Sequence, residues 1–145
     1  MKIFVTTSWR NKYHRMVLNA LEKEGHTVYD FKASSVFKWN VEKPIDTDVM
    51  NNVITKEPAR NAYDSNYFSI SDSDVCVLIL PAGRTSHMFA GMSVGMGKNL
   101  IIVAPEIEKN DIEMELGYIS AYVVVSNLQS VMRIVKSYDV IRIKE

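Results

Sequence analysis

The sequence predicts one doubly wound α/β domain, with a five-stranded parallel sheet and helices on both faces. Three short runs at 2–6, 75–80 and 100–104 are rich in β-branched residues and mainly apolar without alternation, which is typical of strands covered on both faces. Apolar residues at helical spacing recur between these runs, and this β–α alternation favours a parallel sheet. A chain of 145 residues has the length of one domain with one core.

Weaker patterns complete the alternation. Two further strands are predicted at 27–31 and 122–126, and helices at 13–24, 85–98 and 127–136. Gly25 directly follows the first helix, where a glycine commonly ends a helix. We therefore expect five strands in the flavodoxin-like order 2-1-3-4-5, a Rossmann-type arrangement.

The segment 32–62 interrupts this rhythm. It is too long for a bare connection in so small a domain, and such insertions usually form lids, binding loops or short helices. We expect one of these structures between the second and third strands.

Composition narrows the class of protein. Lys plus Arg and Asp plus Glu are 17 each, so no net field favours binding to nucleic acid or to an anionic membrane. No apolar run is long enough to cross a bilayer, and the first residues contain no signal-peptide core. Cys76, the single cysteine, lies within an apolar strand pattern and is expected to be a buried thiol. These features predict a soluble cytoplasmic protein.

Ligands of an open parallel sheet bind beyond the carboxyl ends of its strands. The residues expected there are Ser8, Trp9 and Arg10 after the first strand, Phe37 and Trp39 after the second, Gly83, Arg84, Thr85, Ser86 and His87 after the third, and Glu106 after the fourth. Hydroxyls, arginines and aromatic rings together suit a sugar or a base that carries an anionic group.

The loop after the third strand carries most information. Gly83 allows an unusual turn, and Arg84 with the N–H groups at the start of the next helix would form an anion site. Helix capping by Thr85 or Ser86 explains these hydroxyls equally well, so both interpretations stay open.

Two patterns within the following helix favour packing over ligand binding. Gly91, Gly95 and Gly97 lie beyond the turn and so do not form a dinucleotide fingerprint; they suggest close packing on the sheet and a C-cap at Gly97. The spacing of Met88, Met92 and Met96 is that of a core stripe.

The sequence offers little for metal or nucleophile chemistry. His14, His26 and His87 are scattered and have no zinc-site spacing, and no nucleophile elbow is present. We expect neither a metal nor a cofactor. His87, beside the anion loop, is the one histidine placed for function, with a supporting or capping role.

Several segments match one family in order and spacing. They are Ser8-Trp9-Arg10-Asn11, 25–31, Phe37-x-Trp39, 73–81, 83–87, Gly91, Gly97-Lys98 and 115–118. Through them the sequence resembles the nucleoside 2-deoxyribosyltransferase-like family, which includes nucleoside 5′-monophosphate N-glycosidases. The resemblance covers nearly all of 1–145 as one domain and is weakest over 41–62. It implies a homodimer or higher oligomer.

The resemblance also implies a difference in chemistry. In the family, a glutamate in the pattern H-L-E-x-G attacks the anomeric carbon of an N-glycoside, as a retaining glycosidase does. Here the pattern is His87-Met88-Phe89-Ala90-Gly91, so Phe89 stands at the glutamate position. No glutamate occurs between Glu57 and Glu106. Asp74 matches the family's aspartate at the start of the third strand.

Three interpretations follow. The first, which we prefer, is a protein that binds a nucleoside or nucleotide without covalent catalysis, to sequester or sense it, with Phe89 against base or ribose. The second is an N-glycosidase or deoxyribosyltransferase that uses Asp74, Glu106 or Glu115. In the third, Phe89 packs in the core and closes the pocket. The predicted ligand-binding set is Ser8, Trp9, Arg10, Phe37, Trp39, Asp74, Gly83, Arg84, Thr85, Ser86, His87 and Phe89.

Overall fold

Five parallel strands form the sheet that organises the chain. The computed structural model describes residues 1–33, 46–105 and 115–142. The strands are Lys2–Thr7 (β1), Thr27–Asp30 (β2), Val75–Ile79 (β3), Asn99–Val103 (β4) and Val123–Val125 (β5). Their order is β2-β1-β3-β4-β5, and each neighbouring pair is parallel. The predicted fold class and strand order are therefore confirmed.

Helices follow the strands. They are His14–Lys23 (α1), Thr47–Ile54 (α2), Glu57–Asp72 (α3), Arg84–Gly95 (α4) and Leu128–Arg142 (α5), with a 3₁₀ helix at Leu116–Ser120. Within the insertion, α2 and the start of α3 are described, whereas 34–45 lie outside the described residues. Sequence analysis did not identify α3, because its apolar residues do not form one stripe: Tyr63, Tyr67 and Phe68 are all at least 43% exposed.

The two faces of the sheet carry separate halves of the core. Side chains alternate along a strand, so each strand supplies both faces. One face packs against α1 and α5 and contains Ile3, Val5, Val77, Ile101, Val17, Leu21, Val131 and Val135. The other packs against α3 and α4 and contains Phe4, Cys76, Leu78, Ile102, Ile70, Phe89 and Ala90. Helices thus cover both faces, as expected.

Gly91 and Gly95, the two glycines of α4, do not have the predicted role. Gly91 and Gly95 are exposed, and a Cβ at either position would meet no atom within 4 Å. Close packing on the sheet is therefore wrong for them; the buried residues of α4 include Ser86, Ala90 and Ser93. Gly97 does follow the helix with φ +75°, the left-handed conformation that favours glycine.

The methionine stripe is only partly a core feature. Met92 and Met96 pack against the core on the α3–α4 side of the sheet. Met88, in the first half of α4, is 53% exposed and is not part of the core.

Cys76 is a buried thiol, as predicted. It is fully buried in β3, and burial raises its pKa to about 12. Within the described parts of the chain, no helix is both long and apolar enough to cross a membrane.

Candidate functional site

An open cavity of about 800 Å³ lies at the carboxyl edge of the sheet. It is enclosed by the ends of β1 and β2, by α3 and by the start of α4. Its buried lining residues are Thr7, Phe31, Ala62, Asn66, Ser86 and Phe89, and its exposed rim includes Trp9, Arg10, Ile54, Arg60, Tyr63, Arg84, Thr85 and Met88. Ser8 and Gly83 also line it.

Hydrogen bonds hold the loops after β1 and β3 side by side. The Thr7 hydroxyl donates to the Ile79 carbonyl at 2.6 Å, and the Asn11 amide donates to the Pro81 carbonyl at 3.0 Å. From α4, the buried Ser86 hydroxyl donates back to the Thr7 carbonyl at 2.7 Å. These bonds satisfy carbonyls at the strand ends and fix one wall of the cavity.

The Ser86 bond also excludes one of the two interpretations of the hydroxyls. The N-cap of α4 is Gly83, and no side chain caps the helix. Capping by Thr85 or Ser86 is therefore wrong, because the Ser86 hydroxyl is used by β1. The start of α4 is left with its positive dipole end at the cavity, next to Arg84.

The charged side chains among the described lining residues of the cavity are all positive. Arg10, Arg60 and Arg84 all line it. Among the residues that the structure describes, no lining side chain carries a carboxyl group. Such a surface favours an anionic ligand. Sequence reasoning missed Arg60 because it missed α3; Pro58 in the first turn is the signal that could have located the helix start.

Aromatic rings form the wall at β2. Trp9 meets Phe31 edge to face, with ring centroids 5.6 Å apart. Lys32 holds this wall: its ammonium donates to the Trp9 carbonyl at 2.9 Å and lies 5.6 Å from the Trp9 ring centroid. These contacts hold the Trp9 and Phe31 rings together.

A His–Asp pair supports the same wall from behind. His14 Nε2 lies 2.9 Å from Asp30 Oδ1, and the His14 ring packs edge to face on Phe31. Burial raises the pKa of Asp30, but the hydrogen bonds from His14 and from the backbone N–H of Lys32 outweigh it, so the pKa lies below its usual range. Asp30 is thus an ionised anchor behind the aromatic wall.

Phe89 belongs to the core and to the cavity at once. It is 5% exposed and meets Phe4 edge to face at 6.1 Å, yet it lines the cavity. The interpretation in which this residue closes the pocket does not fit, since the cavity is open in front of the ring.

Three predicted site residues lie elsewhere. Asp74 is at the amino end of β3, where it accepts from the Lys2 N–H at 2.9 Å. It therefore belongs to the opposite edge of the sheet from the cavity, because parallel strands place all their amino ends together. Glu115 directly precedes the 3₁₀ helix and is exposed, outside the cavity lining.

His87 faces away from the cavity as well. Its Nδ1 donates to the Gly83 carbonyl at 2.9 Å, and its Nε2 lies 2.9 Å from the Tyr118 hydroxyl, on whose ring it stacks. Burial raises the pKa of Tyr118, and so does the charge of Glu115. His87 is thus bonded to the residue before α4 and to Tyr118, and it is not among the described residues that line the cavity. Phe37, Trp39 and Glu106 lie outside the described residues.

Asn66 on α3 is a lining residue that sequence reasoning missed. It is 3% exposed, and its Nδ2 donates to the Ala62 carbonyl at 2.9 Å. Its buried Oδ1 has no hydrogen-bond partner among the residues that the structure describes. No group of three or more His, Cys, Asp or Glu side chains in the described ranges could hold a metal ion.

Comparison with known proteins identifies the fold. No protein-family model matches the sequence, and no curated protein matches it. Among solved structures, a 2-deoxyribosyltransferase from Bacillus psychrosaccharolyticus matches with a TM-score of 0.61 and 15% identity, over 90% of each chain. A CMP N-glycosidase of Clostridium botulinum, BcmB, matches at 13% identity over 94% of this chain and 99% of its own, with a TM-score of 0.49 that is too low to support an argument. The chain therefore shares its fold with a 2-deoxyribosyltransferase, and the resemblance drawn from the sequence holds at the level of fold.

Proposed function

We propose that this protein binds a nucleoside- or nucleotide-type small molecule in the cavity and sequesters or senses it without covalent catalysis. One observation carries the proposal: the cavity combines aromatic walls with three arginines and, among its described lining residues, no carboxyl group. A flat heterocycle fits the rings, and an anionic group fits the arginines. The volume of about 800 Å³ lies in the range of small-molecule sites.

The anionic group of the ligand would lie at the start of α4. There the uncapped helix end and the Arg84 guanidinium converge on the cavity. Helix N-termini bind phosphate through backbone N–H groups and the helix dipole. Arg84 adds a charge-assisted bond, which favours a phosphorylated ligand over the free nucleoside.

The absence of covalent catalysis rests on Phe89. By the family resemblance this ring stands where a glutamate would attack the anomeric carbon. A phenyl ring has no electron pair for that attack and no proton to transfer, so covalent catalysis at this position is impossible. Its apolar face at the cavity would instead contact the sugar or the base.

An N-glycosidase or deoxyribosyltransferase with another carboxylate is the alternative, and it has less support. Asp74 serves the amino edge of the sheet, and Glu115 lies outside the cavity lining. The remaining candidate of the three, Glu106, falls outside the described residues.

Titration with nucleoside 5′-monophosphates and the matching nucleosides tests the proposal. We expect monophosphates to raise the melting temperature and to bind with measurable heat, because a ligand that prefers the native state stabilises it. Nucleosides should bind more weakly. No free base should appear by chromatography on prolonged incubation; rapid base release by the unmodified protein would contradict the proposal.

We further propose that the chain forms a homodimer or higher oligomer, as the resemblance implies. Exposed apolar side chains at the cavity rim, among them Trp9, Ile54 and Met88, are consistent with a partner surface there. Light scattering at micromolar concentration should give at least twice the 16.5 kDa of one chain, and a monomer would contradict this proposal.

A further inference from the structure

Three arginines stand at the mouth of the cavity without an acidic partner. Arg10, Arg60 and Arg84 line it and are exposed. Within the described residues, no ion pair or hydrogen bond engages any of their guanidinium groups. Asp64, one turn after Arg60 on α3, is exposed and does not line the cavity. The chain as a whole is neutral, so this excess of positive charge is a local feature of the mouth.

The fold places two of these arginines at similar distances from the buried end of the cavity. Both α3 and α4 begin at the carboxyl edge of the sheet, because α3 leads into the amino end of β3 and α4 follows its carboxyl end. Arg60 precedes the buried Asn66 by about 9 Å along its helix, and Arg84 precedes the buried Phe89 by about 7–8 Å. A ligand whose ring lies against Phe89 would therefore have its outer end at the level of both arginines.

The amount of positive charge indicates which kind of anion fits. Arginine stays protonated at neutral pH, so the mouth carries about three positive charges. A terminal phosphate carries a charge of about −1.5 to −2 at pH 7, and a second, linked phosphate adds about one more negative charge. The cavity volume of about 800 Å³ lies towards the upper end of the range of about 300–1,000 Å³ for small-molecule sites. Both charge and size thus favour a ligand with more than one phosphate.

We infer that the ligand carries at least two linked phosphates, and that Arg60 binds the second while Arg84 and the start of α4 bind the first. This inference rests on the proposed function, because it specifies the anionic group of the ligand in the same cavity. A guanidinium suits this contact, since it donates two parallel hydrogen bonds to phosphate oxygens. Arg60 lies in the segment 41–62, where the sequence resembles the family least, so the resemblance assigns it no role.

Calorimetry at fixed ionic strength and without divalent metal tests the inference. Adenosine 5′-diphosphate is compared with adenosine 5′-monophosphate, and cytidine 5′-diphosphate with cytidine 5′-monophosphate. We expect the diphosphate to bind about tenfold or more tightly for at least one base, the scale of a charge-assisted hydrogen bond. In Arg60→Ala the ratio for that base should fall below about threefold, because the diphosphate loses affinity and the monophosphate largely keeps it.

Two further variants serve as controls. Arg15→Ala removes the same charge from an exposed position of α1 that does not line the cavity, so it should leave the ratio unchanged. An equal fall of the ratio in Arg15→Ala would show a general field effect and would overturn the inference. Arg60→Gln keeps most of the side-chain length without the charge and should behave as Arg60→Ala does. Melting temperatures verify that each variant is folded.

Inorganic diphosphate separates this inference from the proposed function. If it binds as tightly as the nucleoside diphosphates and depends on Arg60, the inference stands and the nucleotide part of the proposed function fails. If monophosphates and diphosphates bind equally, the inference fails and the proposed function stands. Equal losses for both in Arg60→Ala would also overturn the inference. If no nucleotide and no diphosphate binds, both proposals fail.

Discussion

Phe89→Glu tests whether the ring at the position of the family's nucleophile is a core residue, a ligand contact or both. Phe89 is 5% exposed and packs on Phe4 at 6.1 Å between ring centroids. Truncating a buried phenylalanine costs about 3–5 kcal/mol of unfolding free energy. An introduced carboxylate can extend into the open cavity and stay partly hydrated. We therefore expect Phe89→Glu to lose about 3 kcal/mol of unfolding free energy at pH 7, the lower end of that range. The total unfolding free energy of a domain is about 5–15 kcal/mol.

The pH dependence of that loss identifies its cause. Burial raises the pKa of a carboxyl group in the folded state above its value of about 4.3 in the unfolded chain. Below that unfolded value both states are protonated and no linked stability is lost. As pH rises through the folded pKa, stability falls. The unfolding free energy of Phe89→Glu should therefore equal that of Phe89→Gln at pH 4 and fall below it towards pH 8.

Urea unfolding at pH 4, 6 and 8 measures these differences, with Phe89→Leu as an apolar control that should lose about 1.5 kcal/mol or less. A loss below about 1 kcal/mol for Phe89→Glu at every pH would refute the placement of Phe89 in the core.

Chromatography of Phe89→Glu after incubation with nucleoside monophosphates tests the site. We expect reduced binding and at most slow base release, because a carboxylate alone lacks the positioned acid of a glycosidase.

Three further predictions test other parts of the structure. Arg84→Ala should weaken binding of nucleoside monophosphates by about 1.5–3 kcal/mol in calorimetry but nucleosides far less, the scale of a charge-assisted bond; equal losses would place Arg84 outside the anion site. Asp30→Asn should destabilise the protein above about pH 5 and progressively less as pH falls through the carboxyl range, because the pKa of Asp30 is lowered in the folded state and its stabilisation is lost on protonation. Urea midpoints from pH 3 to 7 measure this, and a difference independent of pH would contradict the His14–Asp30 pairing. Cys76 should resist alkylation by iodoacetamide at pH 8 in native protein and react rapidly in urea, because burial raises its thiol pKa to about 12; modification at equal rates in both would show an accessible thiol.

The parts of the site on the loops after β1 and β3 were predictable from the sequence. Ser8, Trp9 and Arg10 directly follow β1, and Arg84 begins the helix after β3. The carboxyl ends of parallel strands share one edge, so these residues were expected to lie together. Asp74 was placed wrongly because the resemblance gave it a functional role although it stands before its strand, on the amino side.

The contribution of α3 depended on tertiary structure. Arg60, Tyr63 and Asn66 lie on a helix whose apolar residues are scattered, so periodicity gives it no clear inner face. Which of its sides meets the cavity is decided by the contacts of α3 with α4 and β1. Only packing shows that Asn66 is buried and that its side-chain oxygen has no partner in the described part of the chain.

The sequence alone determined the fold class and strand order, because continuous apolar strands between helices leave few arrangements that bury both faces of a sheet. It also predicted that the loops after β1 and β3 meet at one edge of the sheet, where residues from both line the cavity. Tertiary structure decided which side chains face the cavity and which are used elsewhere. Ser86 satisfies a carbonyl of β1 instead of capping its own helix, and His87 turns to Tyr118. Each of these hydrogen bonds depends on which polar group lies within hydrogen-bond distance. The two groups come that close only after distant segments of the chain have packed together.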